Sequence, residues 1–537
     1  MTHTTSAVVI GAGVAGLATA GLLAKDGYDV TVLEKQDDVG GRAGVLKDDS
    51  FRWDMGPSWW LMPSAFEHFY ELMGTSVEAE LDLVQLNEPA FRVFTEGYQP
   101  LDVSTGAQNV IELFDQLEPG AGAEVERYLA GMETDYRLSI ERFLYTNFTE
   151  LRGLTSAQIM RRLGRLARKF TRSLDADVAA QFDHTQLRQL LTYAAVFLSS
   201  APKITPAFYG IMNYTTLVEG VAYPMGGFAT FIDSLRRLAV NAGVRIHTSA
   251  TVEEIHHDAG KPQRVNGVTY RDDTGEHYLA ADVVVSGADR HHTETQLVSD
   301  PRSARPKYWR RRNPGLSCVL AYLGVEGDLP QLAHHSLFFS QDWDPDFEAV
   351  FPKLSSRTAQ HDPGAYSESL YVCRSSATDP SVAPEGHENV FVLIPVQATK
   401  DGIVGSLNHD EDPDTTAIVD AAIDLIAQRI GVDDLAQRIV ARHTVGPGDF
   451  QERFNAWQGN ALGLAHTLAQ SAFFRGSNAS RHIDGLYFAG ATTAPGVGLP
   501  MCLISAENII KRLRDDTSTG PLATPLQPTT TRPTHNR

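Results

Sequence analysis

The chain has 537 residues, 42% hydrophobic and 21% charged, enough to bury a substantial core in more than one unit. Its net charge of −20 argues against a nucleic-acid partner, because phosphate binding needs basic surface. Cys318, Cys373 and Cys502 lie far apart without CxxC spacing, so neither a disulfide framework nor a zinc motif is indicated, and no apolar run of about 18 residues is present to span a bilayer. A reducing, cytoplasmic compartment is expected, with no leader before the first strand.

Ala7–Ile10 predicts a buried parallel strand running directly into Gly11-Ala12-Gly13-Val14-Ala15-Gly16. Gly11 permits the tight turn, Gly13 lets the backbone approach a pyrophosphate, and Gly16 lets the next helix pack on the strand. That helix, about Val14 to Lys25, aims its N-terminal N–H groups at the phosphates. A second strand, Val30–Leu33, delivers Glu34, 23 residues after Gly11, where a carboxylate can bind an adenosine ribose hydroxyl. Strand, glycines, helix, strand and acid in this order point to a dinucleotide. Gly40-Gly41-Arg42 and Asp54-Met55-Gly56-Pro57-Ser58 follow. A plain nicotinamide dehydrogenase needs no such second set. A larger, permanently held dinucleotide does: Arg42 neutralises phosphate charge, and the Gly56-Pro57 turn approaches the ring system.

Between Thr155 and Ser173 there is no acid, but there are Arg161, Arg162, Arg165, Arg168, Lys169 and Arg172. Ile159, Leu163, Leu166 and Phe170 form an apolar stripe, so this predicts a basic amphipathic helix lying on a membrane surface. A helix over Phe228–Ala242, strands Val244–His247 and Thr251–Ile255, and a buried strand Asp282–Ala288 follow. Arg302–Arg312 is a second basic segment, with a weaker case for membrane contact. Strands are expected at Ser317–Leu323 and Asn389–Val396. Near the end, Gly485–Gly490 reads as a strand ending in glycine, then comes the turn Ala491–Pro500 and a helix from about Met501 to Leu513. Residues 517–537 hold seven Thr and four Pro, and are expected to be disordered.

The series GxGxxG, Glu34, Gly41-Arg42 and Asp54 to Ser58 resembles the FAD superfamily of amine oxidases, protoporphyrinogen oxidase and carotenoid desaturases. Four further stretches are similar to bacterial phytoene desaturases: Glu219–Gly227 (EGVAYPMGG), Leu332–Ser336 with its paired histidines, Leu468–Arg475 (LAQSAFFR), and Gly490–Pro500. The resemblance implies an α/β fold, with a discontinuous Rossmann-like FAD-binding domain at 1–60, 219–290 and 460–516. A mixed α+β substrate and membrane-associated domain would occupy 61–218 and 291–459. It implies non-covalent FAD, since no cysteine is placed for a covalent link. The expected contacts are Gly11, Ala12, Gly13, Ala15, Gly16, Glu34, Lys35, Gly41, Arg42, Gly56, Pro57, Ser58, Val252, Gly490, Gly498, Leu499 and Pro500. Many relatives carry Asp after the last-strand glycine; here Ala491 stands there, leaving that contact to backbone.

The implied reaction is dehydrogenation of a polyene, phytoene to lycopene foremost. The implied place is the inner face of the cell membrane, peripherally. Alternatives are a diapophytoene or zeta-carotene-type desaturase, a carotenoid oxygenase or ketolase, a flavin amine oxidase, and a non-enzymatic isoprenoid escort protein. With a single dinucleotide fingerprint, oxygen or a quinone is the expected electron acceptor. No catalytic acid or base is assigned: Asp54 reads as a turn cap and Glu219 as a structural hydrogen-bonding group. His291-His292 and His334-His335 are not read as metal ligands, because adjacent strand residues point to opposite faces.

Overall fold

The computed structural model describes residues 4–147, 157–260, 263–352 and 364–528, without the side chains of residues 157–163 and 473. Ser6–Ile10 is the central strand of a five-stranded parallel sheet. The order is Leu486–Phe488, Val283–Ser286, Ser6–Ile10, Asp29–Leu33 and Arg245–His247. Val8 and Val9 are fully buried, as a parallel strand covered on both faces requires. One cover is the helix Val14–Lys25, buried from Val14 through Leu23 because Phe228–Asn241 and Leu499–Leu513 pack around it. Such a helix has to be apolar all round. The other cover is the antiparallel sheet of Thr251–His257, Gln263–Asp272 and Gly275–Ala280, whose Val252, Ile255 and Val268 join Val8, Ile10 and Val284 in one core. All five strands run the same way, so their carboxyl ends meet on one edge, where open α/β sheets hold ligands.

A second, seven-stranded mixed sheet runs Ile439–Val445, Leu316–Glu326, His387–Gln397, Leu370–Cys373, His335–Phe339, Phe91–Thr95 and Leu101–Val103. Along Leu316–Glu326 the pleat divides the side chains between two cores. Val319, Ala321, Leu323 and Val325 share one with the helix Pro413–Ile430, while Cys318, Leu320 and Tyr322 face the other with Ala121–Ser139 and Thr185–Thr192. The strands expected at 317–323 and 389–396 extend to Leu316–Glu326 and His387–Gln397, because each pairs on both sides.

The basic helix forms at Ala157–Thr171, but its described apolar residues turn inward. Leu166 is buried and Phe170 stacks on Phe208 with centroids 4.5 Å apart, in a cluster with Met62, Tyr136 and Ile211. Arg165 reaches Asp135 at 2.9 Å and Lys169 reaches Asp177 at 3.2 Å. The lipid-facing role of Leu166 and Phe170 is therefore corrected: neighbouring helices supply both the apolar cover and the acids. Ile159 and Leu163 lie outside the described side chains. The second basic segment is tied down in part, with Lys307, Arg310 and Arg311 exposed. Arg302 pairs with Asp300, Arg305 with Glu294, and the guanidinium groups of Arg305 and Arg312 sit 3.8 and 4.1 Å from the Tyr308 ring centre.

Residues 517–528, expected to be disordered, are anchored. Lys511 Nζ donates to the carbonyls of Ser518 and Gly520 at 2.8 and 2.6 Å, and Leu526 is buried in the core beside Val14–Lys25. Composition hid this, because one buried lysine and one leucine suffice to hold a polar strap. Residues 529–537 lie outside the described chain.

Candidate functional site

The carboxyl ends of the parallel strands open into a cavity of about 870 Å³. At one end is the glycine turn. Gly11 has φ +91°, and a Cβ on Gly16 would lie 1.9 Å from the Gly11 carbonyl oxygen. A Cβ on Gly13 would meet nothing nearer than the Gly40 oxygen at 3.9 Å, so the space beside it belongs to the cavity. The helix Val14–Lys25 starts there with no side-chain cap, leaving its first N–H groups for an anion. The Glu34 carboxylate is fixed at its strand end: Ala12 N–H donates to Oε2 at 2.6 Å and Gln36 N–H to Oε1 at 2.8 Å. Ala250 N–H donates to the Glu34 carbonyl at 2.8 Å, which brings Val252 to the same wall.

The single turn Gly41–Ala43 places Arg42 on that wall. Its Nε is buried without a partner, and burial lowers its pKa against the pull of Asp289. An orphaned guanidinium nitrogen beside an open glycine turn fits a phosphate group. The closing turn approaches from the other side: a Cβ on Gly490 would sit 3.5 Å from the Ala15 side chain, and Gly498 leads into Leu499–Leu513 with Pro500 in its first turn. Fifteen of the expected contacts line the cavity, namely Gly11, Gly13, Ala15, Glu34, Lys35, Gly41, Arg42, Gly56, Pro57, Ser58, Val252, Gly490, Gly498, Leu499 and Pro500. Ala12 and Gly16 shape the turn from behind.

Sequence reasoning missed two parts of this end. Asp289 lines the wall with a buried, unpartnered Oδ2, while its Oδ1 accepts from His291 N–H at 2.8 Å. Its signal was present: Val283–Ser286 runs into Gly287 as Val8–Ile10 runs into Gly11. Arg475, fully buried, donates to the carbonyls of Ala491, Thr493 and Leu464 at 2.6, 3.2 and 3.1 Å, so it grips the closing turn from behind.

Away from the dinucleotide turn the wall becomes apolar and aromatic, with Trp59, Tyr193, Phe197, Leu320, Leu337 and Tyr371. Ser58 Oγ and Tyr371 OH are 2.7 Å apart, and Tyr371 OH is 2.7 Å from His335 Nδ1. The opposite-faces expectation for the histidine pair does not hold. The strand begins at His335, so His334 is off the pleat, and the two rings lie 4.5 Å apart. His334, His335 and Cys373 offer donor atoms within 4.8 Å of one another. Their Nδ1 atoms meet hydroxyls, His334 with Thr378 Oγ1 and His335 with Tyr371 OH, both at 2.7 Å, while both Nε2 atoms are buried without a partner; burial pushes the Cys373 thiol up to about 12, away from the thiolate a metal needs.

Two cysteines also reach the cavity, contrary to expectation: Cys318 and Cys502 line its wall. Burial raises both, Cys502 to about 12, so they stand as unreactive thiols. Asp54 caps the helix Phe228–Asn241 by accepting from Phe228 and Ala229 N–H at 2.9 and 3.2 Å, and burial raises its pKa to about 6. Glu219 is raised to about 7 by burial and lies close to Tyr136, which itself lines the cavity.

Residues 14–509 match the family described as flavin containing amine oxidoreductase. The chain is 39% identical to the carotenoid 3,4-desaturase of Haloarcula japonica, over 95% of this chain and 98% of that protein. It is 33% identical to the zeta-carotene-forming phytoene desaturase of Myxococcus xanthus, over 94% and 93%. Cyclohexylamine oxidase from Brevibacterium oxydans shares the fold, with a TM-score of 0.55 at 15% identity over 95% of this chain and 100% of that one. The phosphate-ready turn, the fold and these likenesses agree: the chain belongs to the flavin containing amine oxidoreductase family, in which it groups with the carotenoid desaturases as a flavin-dependent oxidoreductase.

Proposed function

We propose that this enzyme removes two hydrogens from adjacent carbons of an acyclic carotenoid, using FAD held without a covalent link. Residues 1–60, 219–290 and 460–516 would form the flavin unit, and 61–218 with 291–459 the substrate unit. One observation carries the proposal: a single cavity joins the glycine turns to an apolar, aromatic wall. Bound flavin supplies the two-electron acceptor. The chain's own part is to hold a hydrocarbon in line with that acceptor and to exclude water, which an apolar wall does without directional bonds. An ammonium substrate finds no unengaged carboxylate on the apolar stretch of that wall. Among the described residues the carboxylate of that wall is Asp346, whose oxygens already accept from Ser340, Glu368 and Ser369. The orphaned Arg42 nitrogen disfavours an escort protein, which has no use for a phosphate site.

Two reactions compete. The stretches similar to phytoene desaturases point to successive dehydrogenation of phytoene to lycopene. The 39% identity to a carotenoid 3,4-desaturase favours adding a double bond to an already conjugated chain. Purified enzyme given phytoene or lycopene in liposomes, anaerobically with a quinone and no nicotinamide, separates them by the absorption spectrum of the product. Red shift of lycopene alone selects 3,4-desaturation; a coloured product from phytoene selects the first. Turnover only with NAD(P)H would sink the proposed quinone or oxygen recycling. Acid precipitation should leave the yellow chromophore in the supernatant, because Cys318 and Cys502 are thiols rather than thiolates; chromophore in the pellet would show a covalent link.

A hydrocarbon of this size is drawn from a bilayer, so peripheral membrane docking is part of the proposal. Phe170 lines the cavity, so Ala157–Thr171 contributes to its wall, and the proposal sets the substrate entrance beside this helix. Each cation near an anionic surface contributes about 1 kcal/mol. Reversing Arg161 and Arg168 to Glu, and sparing the Arg165–Asp135 pair, should weaken sedimentation with anionic liposomes at least tenfold with flavin content unchanged. Unchanged sedimentation would move the dock elsewhere.

A further inference from the structure

Removing two hydrogens as hydride equivalent and proton requires a group to receive the proton. The cavity wall holds a line of polar groups suited to that task. Ser58 follows Pro57 in the turn at the flavin end. Its Oγ lies 2.7 Å from Tyr371 OH, which lies 2.7 Å from His335 Nδ1. Ser58 and Tyr371 line the cavity, and His335 is fully buried behind them. We infer that Ser58, Tyr371 and His335 form a proton relay that takes the proton released from the substrate carbon, ending on His335 Nδ1. This deepens the desaturase proposal and rests on it.

The step balances. Bound flavin would supply the acceptor for one substrate hydrogen and its electron pair. The neighbouring C–H bond then breaks and its electron pair becomes the new π bond. The proton bonds to Ser58 Oγ, the serine proton passes to Tyr371 oxygen, and the tyrosine proton passes to His335 Nδ1. A C–H bond beside an electron-deficient carbon is acidic enough for a neutral imidazole to deprotonate through hydroxyls. His335 rests neutral, because burial holds its pKa well below the usual histidine range. The charge it gains meets the face of Trp59, stacked on the imidazole at 4.2 Å between centroids and 12° between planes; an aromatic face attracts a cation at this range. A neutral imidazole carries one N–H, so the relay, which needs an accepting Nδ1, places the resting proton on Nε2, an atom buried without a partner. Beside it, His334 is a second imidazole, hydrogen-bonded to the half-buried Thr378.

Histidine 15N NMR on the purified flavoprotein reads the resting tautomer without turnover. Protonated Nε2 and accepting Nδ1 on His335 are expected; a protonated Nδ1 overturns the relay. Single-turnover reduction of bound flavin by the carotenoid reads the proton flow. Tyr371→Phe keeps the ring and should slow reduction about 100-fold or more, with flavin content and substrate Kd unchanged. His335→Asn retains an acceptor near the Nδ1 position, so it would rescue a merely structural role but not a relay. Parental rates in Tyr371→Phe, or the loss appearing in Glu219→Gln instead, overturn the assignment. Should the parent reduce no flavin with any carotenoid, the desaturase proposal fails, and the tautomer alone decides whether the hydrogen-bonded chain is set as described.

Discussion

Replacing Gly13 by valine should give a folded protein that purifies without flavin, whereas replacing Gly16 by alanine should damage the fold itself. The two glycines are three residues apart in one turn, yet they face different neighbours. A Cβ on Gly13 meets no protein atom closer than 3.9 Å, and its φ of −72° suits any residue, so the added side chain is expected to occupy cavity space, where the proposed cofactor would place its pyrophosphate. Compared as flavin-free proteins, parent and Gly13→Val should differ by no more than about 1 kcal/mol, the scale of a poorer N-cap. A Cβ on Gly16 would lie 1.9 Å from a backbone oxygen of Gly11, which has no rotamer through which to yield. Overpacking of this kind costs about 1–3 kcal/mol or more, and here it parts the helix from the central strand. Tm together with flavin absorbance per protein reads both effects. Bound flavin in Gly13→Val would refute the phosphate assignment, and a parental Tm in Gly16→Ala would refute the packing argument.

The largest single loss outside the turn is expected at Arg475. Its guanidinium is fully buried and spends its N–H groups on carbonyls of Leu464, Gln470, Ala491 and Thr493, and burial lowers its pKa to about 10. It therefore remains charged at neutral pH, its charge met by carbonyl dipoles. Arg475→Met fills much of the volume but strands these acceptors, each buried unsatisfied group costing about 1–3 kcal/mol. A loss of about 3–5 kcal/mol is expected, seen as a lower midpoint in urea with unchanged slope. Flavin should leave with it, because the Ala491–Pro500 turn loses its grip. Arg475→Lys should recover little, since a single ammonium cannot reproduce the planar fork. A methionine variant as stable as the parent would show that the turn is self-supporting.

The glycine-turn end of the cavity could be anticipated residue by residue, and the rest could not. Strand, Gly11, Gly13, helix and Glu34 are contiguous, and what they build is local backbone geometry: a turn, a helix N-terminus and an acid at a strand end. Such geometry depends on residue type and spacing, which the chain displays directly. Asp289 repeats the strand-then-glycine pattern closely enough to have been found the same way.

Residue spacing carries no comparable trace of contacts made across the fold. Ser58 and Tyr371 are 313 positions apart, Arg42 and Asn460 are 418 apart, and each meets its partner only because the two sheets share one cavity. The apolar stripe of Ala157–Thr171 was visible as a stripe. Whether it faced lipid or the protein was decided by Phe208, Tyr136 and the acids Asp135 and Asp177 on other elements. The polar strap of 517–528 is ordered by Lys511 and the pocket that receives Leu526. The sequence by itself thus determined the fold class, the glycine turn and the acid beside it, because hydrophobic periodicity and glycine conformation act within a few residues. Only the tertiary structure decided the substrate wall, the grip of Arg475 and the hydroxyl–imidazole chain, because burial and hydrogen bonding there join residues that the chain keeps far apart.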